Sequence, residues 1–350
     1  GGNGAAPADV VEIVEALASQ AAVTLENQML LESQKELFDS FIRLIAKAID
    51  AKSPYTAGHC QRVPLIAEKI ASAACRQQEG PYANFEMSED ELYEFHLAAW
   101  MHDCGKIVTP EHVVDKATKL ETVHDRIDEV LTRIELMKRD AEIWHLREGG
   151  DEAELAAELE ALDDDADFLV RINQGGEFLE PEQLARIKTI ATRTWRAPDG
   201  EQLPQLSEEE VENLSVQRGT LTGAERQIIN DHVSMTLELL SQLPFPGHLT
   251  RVPEIAGGHH EAPDGSGYPK GLAGDQLDIP TRILAIADIF EALTAADRPY
   301  KPPKPMSESL GIMARMVKSG HVDPSLFRLF LEEGLHLEYG REHLKPEQLD

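Results

Sequence analysis

His259-His260-Glu261-Ala262-Pro263-Asp264-Gly265-Ser266-Gly267-Tyr268-Pro269-Lys270-Gly271-Leu272 sets two adjacent imidazoles against a glycine- and proline-rich loop. Gly265, Gly267 and Pro269 favour a tight turn soon after the double histidine, so backbone and ligands can lie close together. Further on, Ile283-Leu284-Ala285-Ile286-Ala287-Asp288 puts a carboxylate on an apolar helical pattern that continues through Phe290 and Leu293. A carboxylate on such a face needs a strong partner, and a metal is one.

Working outward, three earlier points complete the set. Trp100-Met101-His102-Asp103-Cys104-Gly105-Lys106 follows a capping-box start at Ser88-Glu89-Asp90-Glu91 and an apolar helical run from Leu92. On one continued helix, His102 and Asp103 stand about 100° apart, Lys106 shares their side, and Cys104, about 200° from His102, packs. His59 and His232 stand alone, the latter on a helix opened by a second capping box, Thr222-Gly223-Ala224-Glu225. His59, His102, Asp103, His232, His259, His260 and Asp288 are nitrogen and oxygen donors, with no cysteine sharing their spacing. The set suits iron or manganese ahead of zinc. It exceeds one tetrahedral site, which predicts two divalent ions sharing a carboxylate, the chemistry of phosphoester hydrolysis.

These motifs resemble the HD-GYP family, a branch of the HD phosphohydrolases that hydrolyse the bacterial second messenger cyclic di-GMP. The match takes in Pro54-Tyr55-Thr56-Ala57-Gly58-His59 with Arg62-Val63, the His-Asp-Cys-Gly-Lys box, the His-His-Glu and Gly-Tyr-Pro boxes, and the stretch from Asp288 to Lys301, all in the family's order. The resemblance implies an all-α, HD-type helical bundle whose helices deliver the ligands to one centre. By position, His59, His102, Asp103 and Asp288 would hold one metal, and Asp103 would bridge to a second held by His232, His259 and His260. Asp103 and Lys106 would be catalytic. Lys106, Arg298 and Lys301 match positions that contact substrate phosphates or bases, and Tyr268 and Lys270 join them in the expected substrate-binding set. The implied reaction is hydrolysis of cyclic di-GMP to linear pGpG, and onward to GMP. The alternatives are a related cyclic dinucleotide such as cyclic GMP-AMP, or a receptor that binds the nucleotide with little turnover.

Three departures qualify the match. Family members with three metals carry a glutamate near the first histidine, where Tyr55 stands here; this favours two metals. Ala262 and Pro263 replace a bulkier pair after His-His-Glu. A longer stretch than usual separates Asp103 from His232.

The net charge of −30 argues against a DNA- or RNA-binding surface. It need not repel an anionic substrate, because two divalent ions less the charges of Asp103 and Asp288 leave the centre at about +2. Distant acidic residues are screened over about 8–10 Å. No apolar run reaches membrane-spanning length, and Cys60, Cys75 and Cys104 lack paired spacing, which suits a reducing cytoplasm.

The expected organisation is a signalling or dimerisation helix over residues 1–50 and a catalytic domain over 51–350, with a helical insertion at about 115–218. After a glycine-rich lead-in, the helical pattern from Ala8 resembles the last helix of a GAF sensor domain, the rest of which is missing from this chain. Phe38, Ile42, Ile45 and Ile49 form an apolar stripe. It serves either packing within the domain or a parallel homodimer. In the insertion, Ile127, Val130, Leu131, Ile134 and Met137 form a helical stripe, Gly149-Gly150 separates it from an acidic helix, and Pro181 opens a helix expected to reach Trp195. Arg171 to Gly176 reads as a turn, and Asp163-Asp164-Asp165 as a solvated acidic stretch rather than a cation site.

Overall fold

The computed structural model describes residues 8–52, 58–176, 178–295 and 303–350, with side chains from residue 12. Within them the chain is helical apart from one short hairpin, an all-α bundle as the motifs imply. The bundle is built from α1 (Ala8–Lys52), α2 (His59–Cys75), α3 (Glu89–Met101) and the short α4 (Glu111–Val114). The chain then runs out through α5 (Ile127–Glu148), α6 (Glu152–Asn173), α7 (Pro181–Ala191), strands β1 (Thr194–Arg196) and β2 (Gln202–Pro204), and α8 (Glu208–Leu214). It returns in α9 (Gly223–Ser241) and α10 (Val252–Ala256), and closes with α11 (Ile279–Thr294), α12 (Met306–Lys318), α13 (Pro324–Glu332) and α14 (Leu335–His343).

Most of the buried apolar residues fall into two clusters. The larger joins α1, α2, α3, α10, α11 and the C-terminal helices, and includes Ile66, Ile70, Phe95, Leu97, Phe290 and Phe330. Phe290 lies at its centre, edge-to-face with Phe330 at 4.9 Å and with Tyr339 at 5.7 Å. The smaller cluster holds Leu120, Val130, Ile134, Leu162, Phe168, Leu169, Ile187, Ile190 and Leu206, all from the stretch between α4 and α9. Its helices close on one another as a hairpin, reversed at Gly149, whose φ of 73° favours glycine.

Several local expectations need correction. The α1 stripe is narrower than its spacing suggests: Ile42, Ala46 and Ile49 are buried, while Phe38 and Ile45 are 36% and 39% exposed. The fully buried Ala46, with its small side chain, lets α1 come close to the bundle between Ile42 and Ile49. The helix from Pro181 stops at Ala191, and Trp195 belongs to a hairpin paired Thr194↔Pro204, Trp195↔Leu203 and Arg196↔Gln202. The β-branched Thr192 and Thr194 and the turn ahead of Gly200, at φ 93°, favour the extended ladder over more helix. Arg171, Ile172 and Asn173 are the last residues of α6, so the turn begins only at Gln174. The acidic triplet is solvated only in part: Asp163 and Asp164 are exposed, paired with Lys138 and Arg186, while Asp165 is buried against Arg186 and Arg193. Near the C-terminus α13 and α14 are separated at Gly334, at φ 66°.

Candidate metal centre

The seven candidate ligands come from five segments, His102–Asp103 and His259–His260 being adjacent pairs, the latter in the turn that follows α10. α2 begins at His59, and Asp288 projects from α11. His232 lies within α9, whose expected capping box of Thr222 and Glu225 is formed; so is that of Ser88 and Glu91 at the start of α3. His102 caps the end of α3, and Asp103, at φ −101° and ψ 10°, starts a 3-10 turn over Cys104–Val108. The box from His102 to Lys106 is therefore not one continued α-helix, and the reason is its contact with α9. A Cβ on Gly105 would lie 1.9 Å from the His232 carbonyl oxygen and 2.6 Å from the Thr236 nitrogen, so the turn rests backbone to backbone on α9. Thr236 ties the two together. Its hydroxyl accepts from the Gly105 N–H at 2.9 Å and donates to the His102 carbonyl at 3.1 Å.

All seven predicted ligands meet, and Asp103 is their hub. Its Oδ2 lies 3.4 Å from His59 Nε2 and 3.5 Å from His102 Nε2. Its Oδ1 lies 3.2 Å from His232 Nε2 and 3.9 Å from His259 Nε2. Asp288 Oδ1 closes the first group, 3.1 Å from His59 Nε2 and 3.9 Å from His102 Nε2. The donor atoms of His59, His102 and Asp288 lie within 4.8 Å of one another, as do those of His232, His259 and His260.

The donor chemistry fits divalent cations. Nδ1 of His102, His232 and His259 donates to the carbonyls of Ala99, Ile229 and Ala256 at 2.7, 2.6 and 2.6 Å. Those bonds keep the proton on Nδ1 and turn the Nε2 lone pair inward. His232 Nε2, His259 Nε2 and Asp103 Oδ1 are buried with no hydrogen-bond partner. Lone pairs aimed at one another in a dry space repel, and a cation between them resolves the conflict.

The charges agree. Burial, with the neighbouring imidazoles, pushes the pKa of His102 down and that of His259 well down, and burial takes His260 to about 4, so these three are neutral ligands at pH 7. His59 differs: burial opposes its proton, but Asp103, Asp288 and Glu291 together hold its pKa well above the ordinary value. Asp103 stays ionised despite burial because Lys106 and the imidazoles hold its carboxyl far down. Lys106 Nζ donates to Asp103 Oδ2 at 2.5 Å, and against the effect of burial Asp103 and Asp288 keep the ammonium charged.

The sequence reading missed Glu291. Only 1% exposed, it accepts from His59 Nδ1 and from Arg62 Nε, the latter at 2.6 Å. Glu291 lies one helical turn beyond Asp288 on a largely apolar helix, which was the available signal.

The loop after His260 is held by Glu261, whose carboxylate accepts from the N–H of Lys270 at 2.7 Å and of Leu272 at 2.8 Å. A Cβ on Gly267 would fall 2.4 Å from the Ala262 nitrogen, so this return of the chain admits only glycine, and the Tyr268–Pro269 bond is cis. Tyr268 stacks on His260 with ring centroids 4.8 Å apart, at the edge of the cage. Lys270 is placed otherwise: its exposed side chain lines a cleft with Leu240, Phe245 and Glu254 that none of the seven ligands lines. The backbone pinned by Glu261 turns it away. Arg298, Lys301 and Tyr55 lie outside the described residues.

Comparison with known proteins supports the same class. A family model described as HD domain matches residues 200–326, a span that includes His232, His259, His260 and Asp288. The 3'3'-cGAMP-specific phosphodiesterase 2 of Vibrio cholerae serotype O1 is 43% identical over 322 residues, 92% of this chain and 40% of the relative. The 3'3'-cGAMP-specific phosphodiesterase 3 of that organism is 26% identical over 300 residues, 85% of this chain and 39% of the relative. A cyclic di-GMP phosphodiesterase of Thermotoga maritima is 40% identical over 98 residues, 28% of this chain and 26% of the relative. The chain thus spans 40% or less of these relatives' length. Fold and cage define an HD-domain protein. With its His102–Asp103 pair and its Gly267-Tyr268-Pro269 loop, the chain belongs to the HD-GYP type.

Proposed function

We propose that this chain is a metal-dependent phosphodiesterase that hydrolyses cyclic di-GMP to linear pGpG, and onward to GMP. The observation that carries it is Asp103, whose two oxygens each face a separate histidine group. Two divalent ions, iron or manganese ahead of zinc, would supply Lewis acidity and a water acidic enough to react at neutral pH. His59, His102, Asp103 and Asp288 would hold one, and His232, His259, His260 and Asp103 the other. The carbonyl bonds at Nδ1 keep the rings oriented before substrate arrives. Lys106 places a fixed ammonium beside the centre, where it meets a phosphate oxygen as charge develops. Tyr268, whose hydroxyl is kept protonated by burial and by Asp288, offers a neutral donor and a ring face at the rim. Hydrolysis puts the oxygen of water on phosphorus and a proton on the released 3′-oxygen. Arg298 and Lys301 complete the substrate set in this reading.

A second reading, 3'3'-cyclic GMP-AMP as substrate, is favoured by the relative that matches over 92% of this chain and carries that specificity in its name. We assign residues 1–50, which include most of α1, to dimerisation and signalling, 51–350 to the catalytic domain and about 115–218 to its insertion. Among the described residues no helix is long and apolar enough to cross a membrane, and the three cysteines are unpaired, in keeping with a cytoplasmic role. The test is turnover of each cyclic dinucleotide by protein reconstituted with iron or manganese, beside elemental analysis. Two ions per chain and release of pGpG support the reading. Tight nucleotide binding without turnover would make the chain a receptor, and a reproducible value of three ions would overturn the dinuclear assignment.

A further inference from the structure

The 3-10 turn that carries Asp103 and Lys106 is held from two sides. On one side Thr236 of α9 bonds Gly105 and the His102 carbonyl. On the other stands Lys52, the last residue of α1. Its Nζ donates to the carbonyls of Lys106, Ile107 and Thr109 at 3.1, 2.6 and 2.5 Å. An ammonium has three N–H donors, and here all three are used on carbonyls at the end of a short helix, where a cation is also favoured by the backbone dipoles. The first of those carbonyls belongs to Lys106, so the bond fixes the backbone from which the phosphate-facing ammonium projects.

The rest of α1 explains why this matters. Ile13, Leu17, Val23, Met29, Leu30 and Leu31 are all more than half exposed, and α1 meets the bundle only towards its end. There Asp39 accepts from the Tyr93 hydroxyl at 2.7 Å, and Ile42, Ala46 and Ile49 are buried. A rotation or shift of α1 is therefore delivered at Lys52.

We propose that Lys52 is a positioning residue through which α1 sets the Asp103–Lys106 turn. It touches neither ligand atoms nor substrate; it acts on Lys106. This rests on the phosphodiesterase reading for its kinetic consequence, but its structural content is separately measurable. Lys52→Met should leave both metals bound and lower kcat by about 10- to 100-fold, the range for a slightly misplaced catalytic group. KM should change little, and Lys52→Arg, which restores donors to the carbonyls, should recover most of the loss. Amide hydrogen exchange supplies the readout independent of turnover: residues 105–109 should exchange faster in Lys52→Met, with α9 unchanged. If Lys52→Met folds poorly, the milder Lys52→Gln should show the same local exchange. Unaltered exchange over 105–109 together with wild-type kcat overturns the proposal, as does a variant that loses its metals, since Lys52 would then support the cage as a whole. Should the wild-type protein turn over no cyclic dinucleotide, the phosphodiesterase reading fails and the exchange data still decide the role of Lys52.

Discussion

Glu291→Gln should separate the two halves of the cage. The carboxylate accepts from two donors, His59 Nδ1 and Arg62 Nε. A glutamine amide offers one accepting oxygen and one donating nitrogen, so one of those N–H groups would face another donor. Loss of a hydrogen bond to a charged group costs about 1.5–3 kcal/mol. At about 1.4 kcal/mol per tenfold, that is about a 10- to 100-fold loss of metal affinity, the range seen when an outer-shell partner of a metal-bound histidine is removed. The loss should fall on one ion alone, because the described contacts of Glu291 are to His59 and Arg62 and include none of His232, His259 and His260. Competition against a chromogenic chelator, with elemental analysis at each step, resolves the two affinities. Equal weakening of both ions, or no change in either, would refute the two-group geometry and the role given to Glu291.

Other predictions bear on the same centre. Asp103→Ala should strip both ions and abolish turnover, whereas Lys106→Ala should keep both and lower kcat by about 10²- to 10³-fold; a fully active Asp103→Ala would remove the hub from the mechanism. Binding of the ion beside His59 should release a proton near pH 7, since that ring is held protonated and must lose its proton to ligate, so this affinity should rise with pH. At the other ion His259 and His260 are neutral, with His260 at about 4, so proton competition from these two rings should appear only in acid; calorimetry in buffers of different ionisation enthalpy reads both. Excision of the arm between residues 121 and 170 would cut through the smaller apolar cluster and strand Ile187, Ile190, Leu206 and Leu214. Replacement of residues 118–217 by a flexible linker should instead leave metal content unchanged; loss of metal from a folded product would show that the arm belongs to the cage.

The seven candidate ligands were legible because each is a chemically unusual choice for its place, a histidine or aspartate on an otherwise apolar or glycine-rich stretch. Ser88 and Thr222 were legible because a capping box is local, written within four residues. Glu291 was within reach, one helical turn after Asp288. Thr236 and Lys52 were not: a threonine in a helix and a lysine at a helix end are ordinary, and their partners lie far off in sequence. The hairpin of Trp195 was obscured by the helical pattern that precedes it, although Asp199-Gly200 marks its turn.

The base of the arm has a consequence for how this protein can vary. The chain leaves the cage after Asp103 and comes back to it in α9, and the two strands of that detour are stapled where they part. Lys116 Nζ donates to the Asn213 side chain at 2.7 Å and to Glu225 at 2.7 and 2.8 Å, and the Thr220 hydroxyl donates to the Lys116 carbonyl at 2.9 Å. Glu225 also completes the cap of the helix bearing His232, so the staple and the ligand helix share one carboxylate. A change in the length of what is threaded beyond it would reach the candidate ligands only through this knot of Lys116, Asn213, Thr220 and Glu225.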